Sequence, residues 1–399
     1  MASCDLVLRG CRLPGADGSF DVALAGGRIA AVAAAGTAGT AGGGGGESLQ
    51  LAGRLLLPAL ADGHLHLDKS FIGLPWRPHV PGEGIAERIA AERRECAALE
   101  GSVGQRARQL VERVIGFGTL ALRSHVDVDE VIGLAHVHAL LELRAALAGR
   151  VELQLAAFPQ SGITPGVAEL LDEALRLGVE VIGGLDPAGI DGDIEAQLNV
   201  VFGLAERHGC RIDIHLHDPG TLGAFELRRI AARTHALGLN GRVAVSHAFA
   251  LGMIDAHELE LTARALAQAG VAIMTNGPGA DAMPPLRPLL DAGVLIFGGS
   301  DNIRDAWSPF GTGDLLQRAG AIGYRGNFRS DAELRLAFEF VTGNSRRVMG
   351  LEPVSLAVGS PADLIALTAA DVPEAVASAP AERLVFRSGR LLCGAPSTA

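Results

Sequence analysis

The chain has 399 residues, a formal net charge of −11, 48% hydrophobic and 20% charged residues, and five cysteines with no CxxC spacing. An acidic chain with no basic stripe disfavours nucleic acid as a partner, and no uninterrupted apolar run of about 18 residues offers a membrane span. Scattered thiols give neither a disulfide framework nor a thiolate metal site, so the expectation is a globular chain in a reducing cytoplasm, without a secretory leader.

Residues 5–9, 21–25 and 28–33 alternate in short pieces, which predicts antiparallel strands. The Ala-, Gly- and Thr-rich run 35–47 reads as a flexible surface loop within a small domain. The rhythm then changes. Apolar, β-rich runs at 55–66, 119–127, 151–159, 179–185, 210–217, 242–247, 271–276 and 294–300 alternate with segments of helical spacing, such as 168–177, 195–208 and 222–237. Eight such units with near-continuous apolar strands predict parallel strands buried on both faces, an α/β chain folded as a (β/α)8 TIM barrel. A doubly wound open sheet is the weaker alternative, because no GxGxxG follows an early strand. Short alternating pieces return at 362–367, 383–386 and 390–393. Both termini are therefore expected to form one β-sandwich domain, 1–54 with 350–399, beside a barrel of 55–349.

Lys69 is the only lysine among 34 basic residues, and it follows His64-Leu-His66 by three positions. A desolvated ammonium can act as an acid, a base or a point charge, whereas guanidinium keeps its proton. Strand alternation sends His64 and His66 to one face. Barrel enzymes react at the C-terminal ends of their strands. Those ends carry His64, His66, His125, Gln160, His215, His217, Asp218, His247 and Asp301. Three imidazoles and a carboxylate with a position left for water make a catalytic metal site, and His64, His66, His215 and Asp301 are the expected ligands. His125 and His217 can either touch the site or line its surroundings. His136 and His138 sit in a predicted helix over 135–147, where i and i+2 diverge, and read as structural. His79, His208, His235 and His257 read as solvated surface.

The motif order resembles the amidohydrolase superfamily over nearly the whole chain, and within it the cytosine deaminase branch. Arg123-Ser-His-Val-Asp-Val, Ala157-Phe-Pro-Gln160-Ser-Gly, Val245-Ser-His-Ala and Ser300-Asp-Asn carry that likeness. His66-Leu-Asp-Lys69-Ser-Phe, Gly183-Gly-Leu-Asp-Pro-Ala and His215-Leu-His-Asp-Pro-Gly-Thr are similar to its s-triazine-degrading aminohydrolases, as is the stretch from Ser300 to Asp314. Strand 4 ends without the lysine or glutamate that bridges two metals in binuclear members, so the resemblance implies one divalent ion, zinc first and iron second. Cytosine deaminases place a glutamate three residues after the strand-5 ligand; here Asp218 stands there, so Lys69 and Asp218 are both candidates for protonating the leaving group. His247 would polarise the tetrahedral centre and Asp301 would take the water's proton. Gln160 and Asn302 would bind the ring, Phe158 and Trp307 would stack on it, and Trp76 would close over it. The implied reaction is attack of metal-activated hydroxide on a nitrogen heterocycle, an N-isopropylammelide-like s-triazine or a cytosine-like pyrimidine, with loss of an amine or alkylamine. A cyclic amide hydrolase and a non-catalytic metal-binding protein are the alternatives. The resemblance also implies a homo-oligomer, dimer or tetramer.

Overall fold

The computed structural model describes residues 4–36, 47–80, 82, 84–279 and 281–395. Its strands in chain order are β1 (Leu6–Cys11), β2 (Phe20–Ala25), β3 (Arg28–Ala34), β4 (Glu47–Gln50), β5 (Leu55–Pro58), β6 (Leu60–Leu65), β7 (Thr119–Asp127) and β8 (Glu152–Phe158). They continue with β9 (Val181–Leu185), β10 (Arg211–Leu216), β11 (Val243–His247), β12 (Ala272–Thr275), β13 (Ile296–Gly298), β14 (Leu364–Leu367), β15 (Arg383–Arg387) and β16 (Arg390–Cys393).

Strands β6 to β13 pair in sequence order, all parallel, and a bridge between Leu65 and Asp301 joins the two outer strands. Helices such as Pro165–Arg176, Ile194–His208 and Gly220–Ala236 return the chain between strands. Every residue of β7 is buried, which is why these strands read as apolar runs rather than alternating ones. The expected (β/α)8 barrel is the architecture found.

The seam between β6 and β13 is tight. Asp301 donates its N–H to the His64 carbonyl at 2.8 Å. The Asp62 carboxylate accepts the Ser300 N–H at 3.0 Å and the His64 N–H at 3.3 Å. Gly299 lies against this seam, where a Cβ would stand 2.5 Å from the His64 carbonyl oxygen.

Two details differ from the sequence reading. The run 55–66 is two strands: β5 pairs antiparallel with β14, and the chain crosses into the barrel at Ala59. Both halves are buried, so the apolar run shows no break where the partner changes. Strand β4, at the edge of the expected loop, pairs with β1 in parallel rather than antiparallel. Residues 37–46 of that loop lie outside the described residues.

The sheets β3-β2-β1-β4 and β16-β15-β14-β5 share a core that includes Leu8, Val22, Ile29, Leu56, Leu364 and Phe386, a sandwich built from both termini. No described helix is long and apolar enough to cross a membrane.

Gly299→Ala should force backbone apart at the seam, at a cost of about 1–3 kcal/mol or more. Denaturant unfolding checks this, and a variant as stable as the parent would show that the seam can yield.

Candidate active site

The strand ends bring five imidazoles together. His64 lies 4.1 Å from His125 and 4.6 Å from His215, ring centre to ring centre, and His215 lies 5.2 Å from His247. The Nε2 atoms of His66 and His64 stand 3.4 and 3.5 Å from Asp301 Oδ1. Asp301 and His247 both have positive φ, 58° and 72°, a conformation that costs a non-glycine residue energy and is retained where a site requires it. Burial first holds His66, His215 and His247 below the usual imidazole range, with Lys69 adding to it at His66 and the neighbouring imidazoles at His215, while Asp301 pulls the other way at His66 and His247, so each keeps a lone pair.

Ser246 sets the tautomer of His64. Its hydroxyl donates to Asp213 Oδ1 at 2.7 Å and accepts from His64 Nδ1 at 2.9 Å, which leaves the lone pair on Nε2. That Nε2 has no hydrogen-bond partner, and neither has either ring nitrogen of His215. Buried polar atoms are normally satisfied, so this cluster is short of a cation or ligand. Side-chain donor atoms of His64, His66 and Asp301 all lie within 4.8 Å of one another, as do those of His64, His215 and His247. The cluster fits a divalent metal ion, with His64 common to both groups.

Lys69 is buried in an acidic basin. Its Nζ lies 2.9 Å from Asp127 and 3.2 Å from Glu92. Burial by itself would strip the proton, but Asp127, Glu92 and Asp68 outweigh it and raise the pKa above that of an ordinary lysine. Lys69 is therefore a held ammonium, not a resting base. Burial raises the Asp127 carboxyl well above the usual range, against the pull of Lys69. His136 pairs with Asp68 at 3.0 Å, a structural role for the second His-x-His. Glu92, from the helix Gly84–Ala97, also accepts from Gln160 Nε2 at 2.9 Å and from the Trp307 indole. One carboxylate thus orients three groups. Sequence reasoning missed it, because a glutamate in a loop helix gives no strand-end signal.

Alternation separates His217 from Asp218. His217 follows His215 inward, stacks on His247 at 4.7 Å and binds Asp186 Oδ2 through Nδ1 at 2.9 Å. Asp218 turns outward. Its carboxylate accepts the Gly189 N–H at 3.0 Å, and Glu226 of the helix Gly220–Ala236 accepts the Ala188 N–H at 3.0 Å, leaving its Oε2 without a hydrogen-bond partner.

A cavity of about 630 Å³ opens over the cluster, and Lys69, Phe158, Gln160, His247, Asn302 and Trp307 all line it. Phe158 stacks on His215 at 4.2 Å, and the Asn302 amide donates to Asp305 at 2.7 Å. His217 lines the cavity, and Asp218 does not. His125 lies beneath the other rings, fully buried, its pKa pushed down to about 3 by burial and then by His64. Trp76 is 65% exposed, packs on Arg304 and borders a separate pocket of about 200 Å³. It does not reach the cavity, and the loop that carries it explains this: Trp76 precedes the helix Gly84–Ala97 that covers the site. His79 and His208, read as solvated, are partly buried on the Ala306 carbonyl at 3.1 Å and Asp172 at 2.6 Å.

Burial first, and Asp218 second, push Glu226 from 4.5 to about 8. The folded state then holds the extra proton, so this pair stabilises the fold at low pH and its contribution falls as pH rises from 4.5 to about 8. Glu226→Gln keeps the hydrogen bonding without ionising, and its melting temperature should decline less than the parent's across that window. Parallel declines in calorimetry would contradict the raised Glu226 pKa.

Residues 49–392 match the amidohydrolase family. The chain is 30% identical over 398 residues, 97% of each sequence, to an N-isopropylammelide isopropyl amidohydrolase of Pseudomonas sp. (strain ADP). Its fold matches the crystal structure of N-isopropylammelide isopropylaminohydrolase from Burkholderia multivorans ATCC 17616 with a TM-score of 0.91 and 38% identity, over 98% of both chains. It matches 5-methylcytosine deaminase from Klebsiella pneumoniae, liganded with 5-fluorocytosine, with a TM-score of 0.85 and 26% identity over 98% of this chain and 97% of that one. A match over most of the length, on a barrel whose strand ends converge on unpaired imidazoles, leads to one conclusion: the chain belongs to the amidohydrolase family and is a hydrolase acting on carbon–nitrogen bonds.

Proposed function

We propose that the protein removes an exocyclic amine or alkylamine from a nitrogen heterocycle, an N-isopropylammelide-like s-triazine or a cytosine-like pyrimidine, and puts oxygen from water in its place. The observation that carries this reading is one cavity walled by imidazoles next to unpaired ring nitrogens and by a buried ammonium. The substrates named for the relatives, N-isopropylammelide and 5-methylcytosine, support it.

His64, His66, His215 and Asp301 would hold one divalent ion; the donor set favours zinc, with iron second. Bound there, the ion would act as a Lewis acid and ready a water molecule for attack at neutral pH. Everything else falls to side chains. Asp301, with Oδ2 held by the Asn276 amide at 2.7 Å, accepts the water's proton. His247, neutral, donates a hydrogen bond to the oxygen at the attacked ring carbon. Lys69, held as an ammonium 2.9 Å from Asp127, passes a proton to the departing nitrogen. His217, with Nδ1 on Asp186, offers the lone pair of Nε2 to a ring N–H. Gln160 and Asn302 read the amide-like edge of the ring, and Phe158 and Trp307 flank its faces. Asp218 and Trp76, both expected at the site, have no part in this scheme, since neither lines the cavity.

The same reading keeps a barrel and a composite β-sandwich domain from both termini, with the first boundary moved from 54/55 to 58/59 because β5 pairs with β14. A cytoplasmic location is supported by five free cysteines, and a homo-oligomer rests on resemblance alone.

Zinc-loaded protein should release free amine from one or more members of a panel of aminopyrimidines and hydroxylated aminotriazines. A ring-opened acid without free amine would overturn deamination. Lys69→Arg should lose about 10²-fold or more in turnover, nearly as much as Lys69→Ala, because arginine keeps the charge but cannot deliver the proton or fit the basin. Near-parental turnover in the arginine variant would remove Lys69 from proton transfer.

A further inference from the structure

Arg318 stands in the wall of the same cavity, on the helix Leu315–Arg325 that follows β13. The structure gives it one hydrogen bond, from Nη1 to the Asn276 carbonyl at 2.7 Å. Among the described residues it forms no ion pair; buried Arg123 and Arg383 pair with Asp213 at 2.9 Å and Asp314 at 2.6 Å, and the unpaired Arg106 and Arg346, which donate to carbonyls, lie outside the cavity. Of the other cations that line the cavity, Lys69 is already answered by Asp127 and Glu92, and Arg88 donates to the Gly82 carbonyl at 3.4 Å. A half-buried guanidinium in a cavity wall, with no carboxylate against it, is placed to take a negative charge from a ligand. Its planar fork suits two acceptors in one plane, as on the N–C–O edge of a deprotonated hydroxy-heterocycle. Burial draws the Arg318 pKa down, opposed by Asp301 and Asp62, neither of which touches it.

We propose that Arg318 recognises a ring oxyanion, so that the site prefers heterocycles carrying an ionisable ring hydroxyl over neutral aminopyrimidines. This rests on the deaminase reading of the cavity and adds the substrate class. Asn302 and Asp301 line the cavity with it, and the Asn276 amide holds Asp301 at 2.7 Å. Arg318, bonded to the same Asn276 that holds Asp301, therefore stands on the Asp301 side of the cavity.

The test compares the parent, Arg318→Gln and Arg318→Lys, all zinc-loaded and matched for metal content and melting temperature. Each is assayed for kcat and KM on an N-alkylamino-dihydroxytriazine and on cytosine. Each is also titrated calorimetrically with trihydroxytriazine, which has no amine to lose. The parent should bind trihydroxytriazine more tightly as pH rises and the ligand ionises. Arg318→Gln should weaken that binding about tenfold or more, flatten its pH dependence, and lower the preference for the hydroxylated triazine over cytosine by a similar factor, through KM. Arg318→Lys should fall between. An equal loss on both substrates, or a fall in kcat with KM unchanged, would overturn the proposal and make Arg318 a positioning residue acting on Asp301 through Asn276. A parent that deaminates cytosine yet binds trihydroxytriazine no better on ionisation also overturns it, while leaving deamination intact. A parent that releases no amine from either ring but binds trihydroxytriazine in its ionised form would uphold Arg318 and overturn the deaminase reading instead.

Discussion

Asp62 holds the barrel shut, and the candidate site is made at that closure. Strands β6 and β13 share no full ladder; a single bridge, the hydrogen bond from Asp301 to the His64 carbonyl and the Asp62 carboxylate under Ser300 and His64 join them. Two of the four residues read as metal ligands, His64 and Asp301, are therefore neighbours in a backbone hydrogen bond although they are remote in sequence. Burial raises the Asp62 carboxyl against the hydrogen bonds it accepts, so the seam is bought with a desolvated acid. A barrel that relaxed here would separate the imidazoles from the carboxylate that faces them.

Arg123, Lys69 and several of the imidazoles have a carboxylate at their back, which fixes both direction and charge. Asp213 meets Arg123 at 2.9 Å and holds the Ser246 hydroxyl behind His64; Asp186 holds His217; Glu92 and Asp127 hold Lys69. The consequence differs from one pair to the next. Imidazoles stay neutral because burial dominates, while Lys69 stays charged because three acids overcome burial. Neutral nitrogens facing a held ammonium across one cavity form a natural division between activating water and protonating a leaving group.

The parts of this site that follow a period-2 rule were legible in the sequence. His64 with His66, His215, His247 and Asp301 fall at strand ends in barrel order, and alternation decides their direction. The same rule, applied one residue further, turns His217 inward and Asp218 outward, but the strand ends at Leu216 and periodicity alone does not say whether it persists into the loop. Glu92 and Arg318 were not legible, because each enters from a helix whose placement depends on tertiary packing, and Asp186, although it directly follows β9 in a quoted motif, gave no sign of its partner His217. The break at Ala59 was hidden because both flanking strands are buried and apolar. Trp76 carried an aromatic signal without a position, and the chain spends it on Arg304 outside the cavity.

The central claim is a single metal ion held by His64, His66, His215 and Asp301 that makes amine release possible. The most direct measurement is to strip the protein with a chelator, add zinc back in known increments and follow amine release from one accepted heterocycle. Activity should vanish on stripping and rise in proportion to zinc until one ion per chain, then stay flat. Full activity after stripping, or a rise that continues to two ions per chain, would contradict the account.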